Sequence, residues 1–199
     1  MLFVCTRPTF ANLCPLFPSW NGIVPNINRA LISVILDENS IGDGGAAALS
    51  EALKSNSTLA NLELYNNEIG SAGAQSLAEM LQVNRSLNSL DLCNNDLGEA
   101  SETIAQAVLQ HPTMEIFCRI PIKKMREDSV VELDLRGADI GVHGATVVAS
   151  LLEFSRALKS ANLAFNEIDD GGAAALSEAL KSNNTLETLA LWNNGIGAV

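Results

Sequence analysis

Residues 41–58 read IGDGGAAALSEALKSNST, and residues 168–185 read IDDGGAAALSEALKSNNT. The two stretches differ only where Gly42 is matched by Asp169 and where Ser57 is matched by Asn184. Such close internal similarity is the signature of a repeat architecture. The chain is therefore expected to fold as an array of similar units, each packed against its neighbours, and not around a single central core.

A motif of the form LxxLxLxxNxI recurs outward from these stretches. It begins at positions 31, 59, 87, 130, 158 and 186, so the spacing is 28 residues within each group of three. The alternation in LxLxL predicts a short strand with one buried face. The GAxxL pattern that follows has apolar residues three and four apart, which predicts an amphipathic helix. Each repeat is therefore predicted to be strand, turn, helix, turn, with small residues at the helix start that let neighbouring helices approach closely.

Stacking of these repeats predicts an α/β solenoid. Because helices are wider than strands, the array is expected to form a curved horseshoe segment, with parallel strands on the concave side and helices on the convex side. The sequence holds about six 28-residue repeats plus one truncated repeat. The motif asparagine is predicted to satisfy backbone groups in the turn after each strand. Ala138 stands at this position in one repeat, where we expect a weaker turn.

These motifs resemble the leucine-rich-repeat family over residues 29–199. The 28-residue period and the GAxxLAxAL helix are similar to its ribonuclease-inhibitor-like subclass, which includes the arrays of NOD-like receptors and Ran GTPase-activating proteins. The resemblance implies a curved solenoid that binds other proteins. It specifies the fold far more closely than the function, because one fold hosts many functions.

The pattern is interrupted at residues 114–129, which we interpret as a truncated repeat that starts as a strand and has no room for a helix. Residues 1–28 do not match the repeat. They are expected to be either an N-terminal cap or a linker outside the fold. The sixth strand lies close to the end of the sequence, so we expect a fragment of a longer array or a frayed last repeat. Limited proteolysis tests this, since a protected last strand would contradict it.

Composition narrows the classes of partner. The formal net charge is −11, which argues against nucleic acid as a partner. No apolar run approaches the roughly 20 residues that span a bilayer. Four cysteines without a CxxC motif favour a reducing, cytoplasmic location. Three asparagines match the N-glycosylation pattern, which carries no meaning in that compartment; they are Asn56, Asn84 and Asn183.

No catalytic constellation is recognisable. The two histidines, His111 and His143, are not spaced as zinc ligands, and no phosphate-binding loop or nucleophile elbow is present. Asp43 and Asp170 stand in Gly-rich helix starts and are interpreted as N-caps of the helices they begin. We therefore predict no catalytic residue, no metal site, no cofactor and no small-molecule substrate.

The outward side chains of the strands are the predicted binding surface. An acidic stripe is expected along its middle, formed by Glu63, Asp91, Glu132 and Asp134, with Tyr65 and Trp192 beside it. Such a face suits a basic or amphipathic segment of a protein partner. It could equally be a solvated sheet face that prevents aggregation. The full predicted set is Asp37, Glu63, Tyr65, Asp91, Glu132, Asp134, Arg136, Asn162 and Trp192.

The sequence therefore favours a non-catalytic protein-interaction module of the NOD-like-receptor type. One alternative is a regulator that stimulates a small GTPase, as Ran GTPase-activating proteins do; another is a structural or cytoskeletal spacer. A GTP hydrolysis assay separates the first alternative from the others, and co-purification of a partner separates the interaction module from the spacer.

Overall fold

The computed structural model describes residues 2–4 and 30–197 of the chain. The chain divides into two compact units, a first block of residues 1–114 and a second block of residues 115–199. The boundary falls where the sequence pattern is interrupted. None of the helices within residues 30–197 is long and apolar enough to cross a membrane.

The first block alternates strands with helices, as the repeat pattern predicts. Its elements are β1 (Leu2–Val4), β2 (Ser33–Ile35), α1 (Gly42–Lys54), β3 (Asn61–Glu63), α2 (Ser71–Val83), β4 (Ser89–Asp91), a 3-10 turn (Gly98–Ala100) and α3 (Ser101–Gln110). Strands β1 to β4 pair in parallel in chain order. The register aligns Val34, Leu62 and Leu90, which are 0% exposed and form the inner face of the sheet.

The second block contains the truncated repeat, two full strand–helix repeats and the strand of a third. Its elements are β5 (Ile116–Phe117), α4 (Ile122–Arg126), β6 (Glu132–Asp134), α5 (Gly141–Leu152), β7 (Ser160–Asn162), α6 (Asp169–Ser182) and β8 (Thr188–Ala190). Strands β6 to β8 are parallel, with Leu133, Ala161 and Leu189 in register. The strand–helix alternation and the parallel pairing predicted from the sequence are confirmed in both blocks.

The truncated repeat differs from its prediction, because it does contain a short helix. Phe117 and Ile120 exchange two backbone hydrogen bonds, of 3.1 and 2.8 Å, which turn the chain tightly after β5. This turn leaves room for the five-residue helix α4, in which Ile122 and Met125 are buried. Their spacing of three places both on one side of a single helical turn.

Neighbouring helices approach closely at their glycines. A Cβ atom on Gly73 would lie 2.8 Å from Ile69 and 3.0 Å from Ala46 of α1, so no larger residue fits without movement. Gly172 has the same role in the second block, where an added Cβ would lie 2.8 Å from Ala145. The predicted close packing of α1 on α2 and of α5 on α6 is thereby confirmed.

The aspartates at the helix starts do not cap their own helices, and that prediction was wrong. Helix α1 follows Ile41, whose backbone is already helical and whose side chain cannot accept a hydrogen bond. The Asp43 carboxylate instead accepts hydrogen bonds of 2.8 Å from Gly70 N and Gly73 N of the next repeat. Asp170 accepts one from Gly197 N in the same way. Each carboxylate therefore joins two consecutive repeats.

The motif asparagines form the predicted ladder. Asn67 Nδ2 donates to Leu36 O at 2.8 Å and Asn67 Oδ1 accepts from Asn39 N at 2.9 Å, both in the turn of the preceding repeat. Asn67 Nδ2 also donates to Tyr65 O at 3.1 Å in its own turn, so one side chain satisfies two turns. In the second block Asn166 Oδ1 accepts from Ala138 N at 3.0 Å. The backbone N–H of Ala138 thus still donates to the asparagine of the next repeat, although alanine has no side-chain amide with which to bond the turn before it.

A second asparagine ladder, not predicted, connects the loops between helices and strands. Asn84 Nδ2 donates to Leu53 O at 2.8 Å and to Asn56 O at 3.0 Å, while its Oδ1 accepts from Leu87 N. Asn183 repeats this arrangement in the second block. Asn56 and Asn84 are only 7% and 2% exposed, so these glycosylation motifs are used for structure in the folded chain.

Candidate protein-binding face

The outward side chains of the strands, and of the residue two positions after each strand, form what we call the strand face of each block. Side chains alternate along a strand, so residues flanking the buried Val34, Leu62 and Leu90 point away from the core. The nine predicted residues are all on this face and none is fully buried. The first block contributes Asp37, Glu63, Tyr65 and Asp91; the second contributes Glu132, Asp134, Arg136, Asn162 and Trp192.

Three carboxylates interact on the strand face of the first block. Glu63 on β3 is in register with Asp91 on β4, and it is half-buried. Burial raises the pKa of Glu63, and the nearby negative charges of Asp37 and Asp91 raise that pKa further. Among the described residues, Glu63 has no basic side chain within ion-pair distance. The fold therefore holds like charges together without a cation of its own at Glu63.

Two of these carboxylates also stabilise turns. Asp37 Oδ1 accepts a hydrogen bond of 3.0 Å from Tyr65 N, and Asp91 Oδ1 accepts one of 2.9 Å from Cys93 N. These bonds fix the side chains beside Glu63. These turn hydrogen bonds give a structural reason for an acidic residue at positions 37 and 91. They give no such reason for the acidic residue at position 63.

The polar side chains of β6 and β7 are also tied to turns. Asp134 Oδ1 accepts from Arg136 N at 3.1 Å, and Asn162 Oδ1 accepts from Ala164 N at 3.3 Å. Asp134 and Asn162 are in register, and Glu132 precedes them on the exposed edge of the face. The predicted acidic stripe therefore has one part in each block, and its continuity stays a prediction.

Three side chains stack on the strand face of the second block, and one of them was not predicted. Arg136 Cζ lies 5.1 Å from the ring centre of Phe165 and 4.9 Å from that of Trp192. The two rings meet edge to face with centres 4.3 Å apart. We call these three residues the arginine–aromatic cluster. Phe165 was missed because it follows the strand, in a turn where the motif places no apolar residue.

Phe165 also has an unusual backbone. Its φ is 57°, in the left-handed region that bulky side chains seldom adopt. The equivalent position after the other motif strands is left-handed as well and carries Glu38, Asn66, Asn94, Gly137 and Asn193. Asparagine and glycine tolerate this conformation most easily. A comparison of the six turns could therefore have identified Phe165 as the one aromatic residue at this position.

A match to a protein-family model supports the architecture. A family model described as "Leucine Rich repeat" matches residues 55–78 and 155–177, each stretch running from a helix–strand loop through a strand into the next helix. No curated protein matches the sequence. A solved structure of "Leiomodin-1 Actin-Binding Site 2 (ABS2)" is similar with a TM-score of 0.48 and 19% identity, over 88% of this chain and 90% of that one. The motif matches and the parallel strand–helix repeats show that this chain has the leucine-rich-repeat fold, with about six repeats.

Proposed function

We propose that this chain is a non-catalytic protein-interaction array that binds a protein partner through its strand faces, in the manner of a NOD-like-receptor array. The 28-residue period and the GAxxL helices support that type of array. Its site of action is proposed to be the cytoplasm, because the four cysteines of the sequence form no CxxC motif and do not recur as regular pairs in the repeats.

The observation that carries this proposal is the electrostatic frustration at Glu63. A carboxylate whose charged form is disfavoured by burial and by two neighbouring carboxylates gains most from a cation supplied by a partner. Asp37 and Asp91 are held beside it by turn hydrogen bonds, so they do not have to be ordered when a partner binds. Lysine or arginine on an amphipathic segment fits this requirement, and Tyr65 beside the carboxylates offers an aromatic contact.

Capture of partners from a cell lysate tests the proposal. The unmodified chain is compared with the variants Glu63→Lys and Glu79→Lys. Both variants change the charge by the same amount, but Glu79 lies on the exposed side of helix α2. We expect Glu63→Lys to lose the partner and Glu79→Lys to keep it. Identical partners in identical amounts for all three proteins would contradict binding at the strand face.

The pH dependence of binding offers a second readout. The pKa of Glu63 is raised, so Glu63 takes up a proton earlier than an ordinary glutamate as the pH falls. A cationic partner binds the charged form, so its affinity should weaken as the pH falls through that raised pKa. The same titration with Glu63→Gln should be flatter. An unchanged pH dependence in that variant would assign the effect to other groups.

A further inference from the structure

The arginine–aromatic cluster is the most specifically built part of the second strand face. Arg136 supplies the cation there, while the strand residues around it are the acidic or neutral Glu132, Asp134 and Asn162. Among the described residues its guanidinium has no hydrogen bond and no ion pair, although both rings lie against it. The two ring centres are only 4.3 Å apart, so both rings lie to the same side of the guanidinium and leave its other side uncovered by them.

The conformation of Phe165 indicates that the cluster is more than incidental packing. Strained backbone in a folded protein persists where the surrounding structure over-determines it, and such positions concentrate at binding sites. Here backbone hydrogen bonds fix the strain, since Phe165 N donates to Trp192 O at 3.1 Å. Asparagine fills the equivalent position in three other repeats without that strain. The contact of the Phe165 ring with Arg136 therefore offsets the cost of the left-handed backbone at Phe165.

A guanidinium fixed in this way is suited to one kind of ligand. Its planar fork of N–H groups matches the two oxygens of a carboxylate, a match that the point charge of lysine does not offer. Stacking restrains the long side chain before the ligand arrives, which reduces the entropy lost on binding. Trp192, 53% exposed, leaves an apolar surface directly beside the fork.

We propose that Arg136, held by Phe165 and Trp192, binds a side-chain carboxylate in a segment of the protein partner, with an adjacent apolar side chain of that segment packing on Trp192. Glu132 and Asp134 on the same face repel a strongly acidic segment, so the carboxylate is a single one in an otherwise basic or apolar sequence. This inference rests on the proposed function, whose basic partner segment it specifies further.

Isothermal titration calorimetry with two short peptides tests the carboxylate site directly. The probes are the peptides acetyl-Lys-Phe-Asp-Phe-Lys-amide and acetyl-Lys-Phe-Asn-Phe-Lys-amide, which differ only in the carboxylate. We expect the Asp peptide to bind about tenfold to hundredfold more tightly, the range for a charge-assisted hydrogen-bonded pair. Equal affinities, or no detectable binding of either peptide, would overturn the proposal. A third peptide, acetyl-Lys-Phe with a free carboxyl terminus, should bind more weakly than the Asp peptide; tighter binding would overturn the assignment to a side chain.

Three variants separate the cluster from general charge. Arg136→Lys keeps the charge and loses the fork, and Phe165→Asn installs the residue found in three equivalent turns, so that variant should fold. Both should lose the preference for the Asp peptide. Arg156→Lys, in an exposed loop between α5 and β7, is the matched control and should keep it. Retention of the preference in Arg136→Lys would refute the role of the fork.

The two proposals can fail independently. If Glu63→Lys abolishes partner capture while the peptides show no carboxylate preference, the proposed function stands and the role of Arg136 falls. If the Asp peptide binds through Arg136 while the lysate yields the same proteins for the array and for Glu63→Lys, the cluster is a carboxylate site and the proposed face of the first block is wrong.

Discussion

Acidification should destabilise the second block through His143. This side chain lies in the first turn of helix α5, is 2% exposed, and packs against Phe117 with ring centres 5.9 Å apart. Among the described residues its Nε2 has no hydrogen-bond partner. Burial lowers the pKa of His143 to about 4, from an ordinary value of 6.5. The imidazole is therefore neutral in the folded protein at a pH where it is protonated in the unfolded chain.

The sign and size of the effect follow from this difference. Between pH 4 and 6.5 the unfolded state binds a proton that the folded state does not, so the stability contribution is complete above pH 6.5 and is lost as the pH falls towards 4. A shift of about 2.5 pKa units, at about 1.4 kcal/mol per unit, gives a loss of about 3 kcal/mol below both values. At pH 5 the loss is already about 2 kcal/mol.

Urea unfolding followed by circular dichroism at pH 7, 6 and 5 measures this loss. The chain should be compared with His143→Leu and His143→Phe, which cannot titrate and differ in shape. Both variants should show a shallower fall in unfolding free energy than the parent, by about 2 kcal/mol between pH 7 and 5. The acidic groups are common to all three proteins and cancel. Parallel pH profiles for the parent and both variants would refute the argument from burial.

Three further predictions concern the contacts between repeats in the first block. Gly73→Ala should lower the free energy of unfolding by about 1–3 kcal/mol, because the added Cβ has no room. Gly44→Ala should raise it by about 0.5–1 kcal/mol, because no atom lies within 4 Å of the added Cβ. Urea titration of both variants measures these changes, and equal effects would contradict the crowding at Gly73. Asp43→Ala should cost about 1–2 kcal/mol by uncapping the next repeat, while the exposed Glu51→Ala should stay within about 0.5 kcal/mol in thermal unfolding. Asn84→Ala should cost about 2–4 kcal/mol and speed amide hydrogen exchange in the following strand, since it leaves buried backbone groups unpaired; unchanged exchange would count against the second ladder.

Periodicity made the fold predictable, but the partners of individual side chains were less so. Leu62 and Asn67 could be placed correctly because alternation and the motif specify a buried strand residue and a turn amide within one repeat. Asp43 was misassigned because its hydrogen-bond donors lie 27 and 30 residues further along the chain. The N-cap rule considers the N–H groups of a single helix, so it could not predict hydrogen bonds from the N–H groups of the next repeat.

The proposed binding surface was likewise predicted in part: the positions of its strand residues followed from the sequence, but their interactions did not. Alternation along the strands sufficed to place Glu63 and Trp192 on the strand face. The raised pKa of Glu63 depends on distances between neighbouring strands, which the sequence does not contain. Phe165 was left out because the motif assigns no residue type to its turn position, although its departure from asparagine was visible in the sequence. The role of Asn84 was missed because its hydrogen-bond acceptors, Leu53 O and Asn56 O, lie about 30 residues earlier, in the preceding repeat.

The hydrogen bonds between repeats have an evolutionary consequence. The ladder bonds that cross between repeats join residues 26 to 31 positions apart, so they connect a repeat only to its immediate neighbour. A duplicated block of 28 residues carries a donor for the repeat before it and an acceptor for the repeat after it. Gene duplication could therefore lengthen the array without first creating new contacts. The near-identical stretches at 41–58 and 168–185, whose two differences leave the bonding residues unchanged, are what such a history would produce.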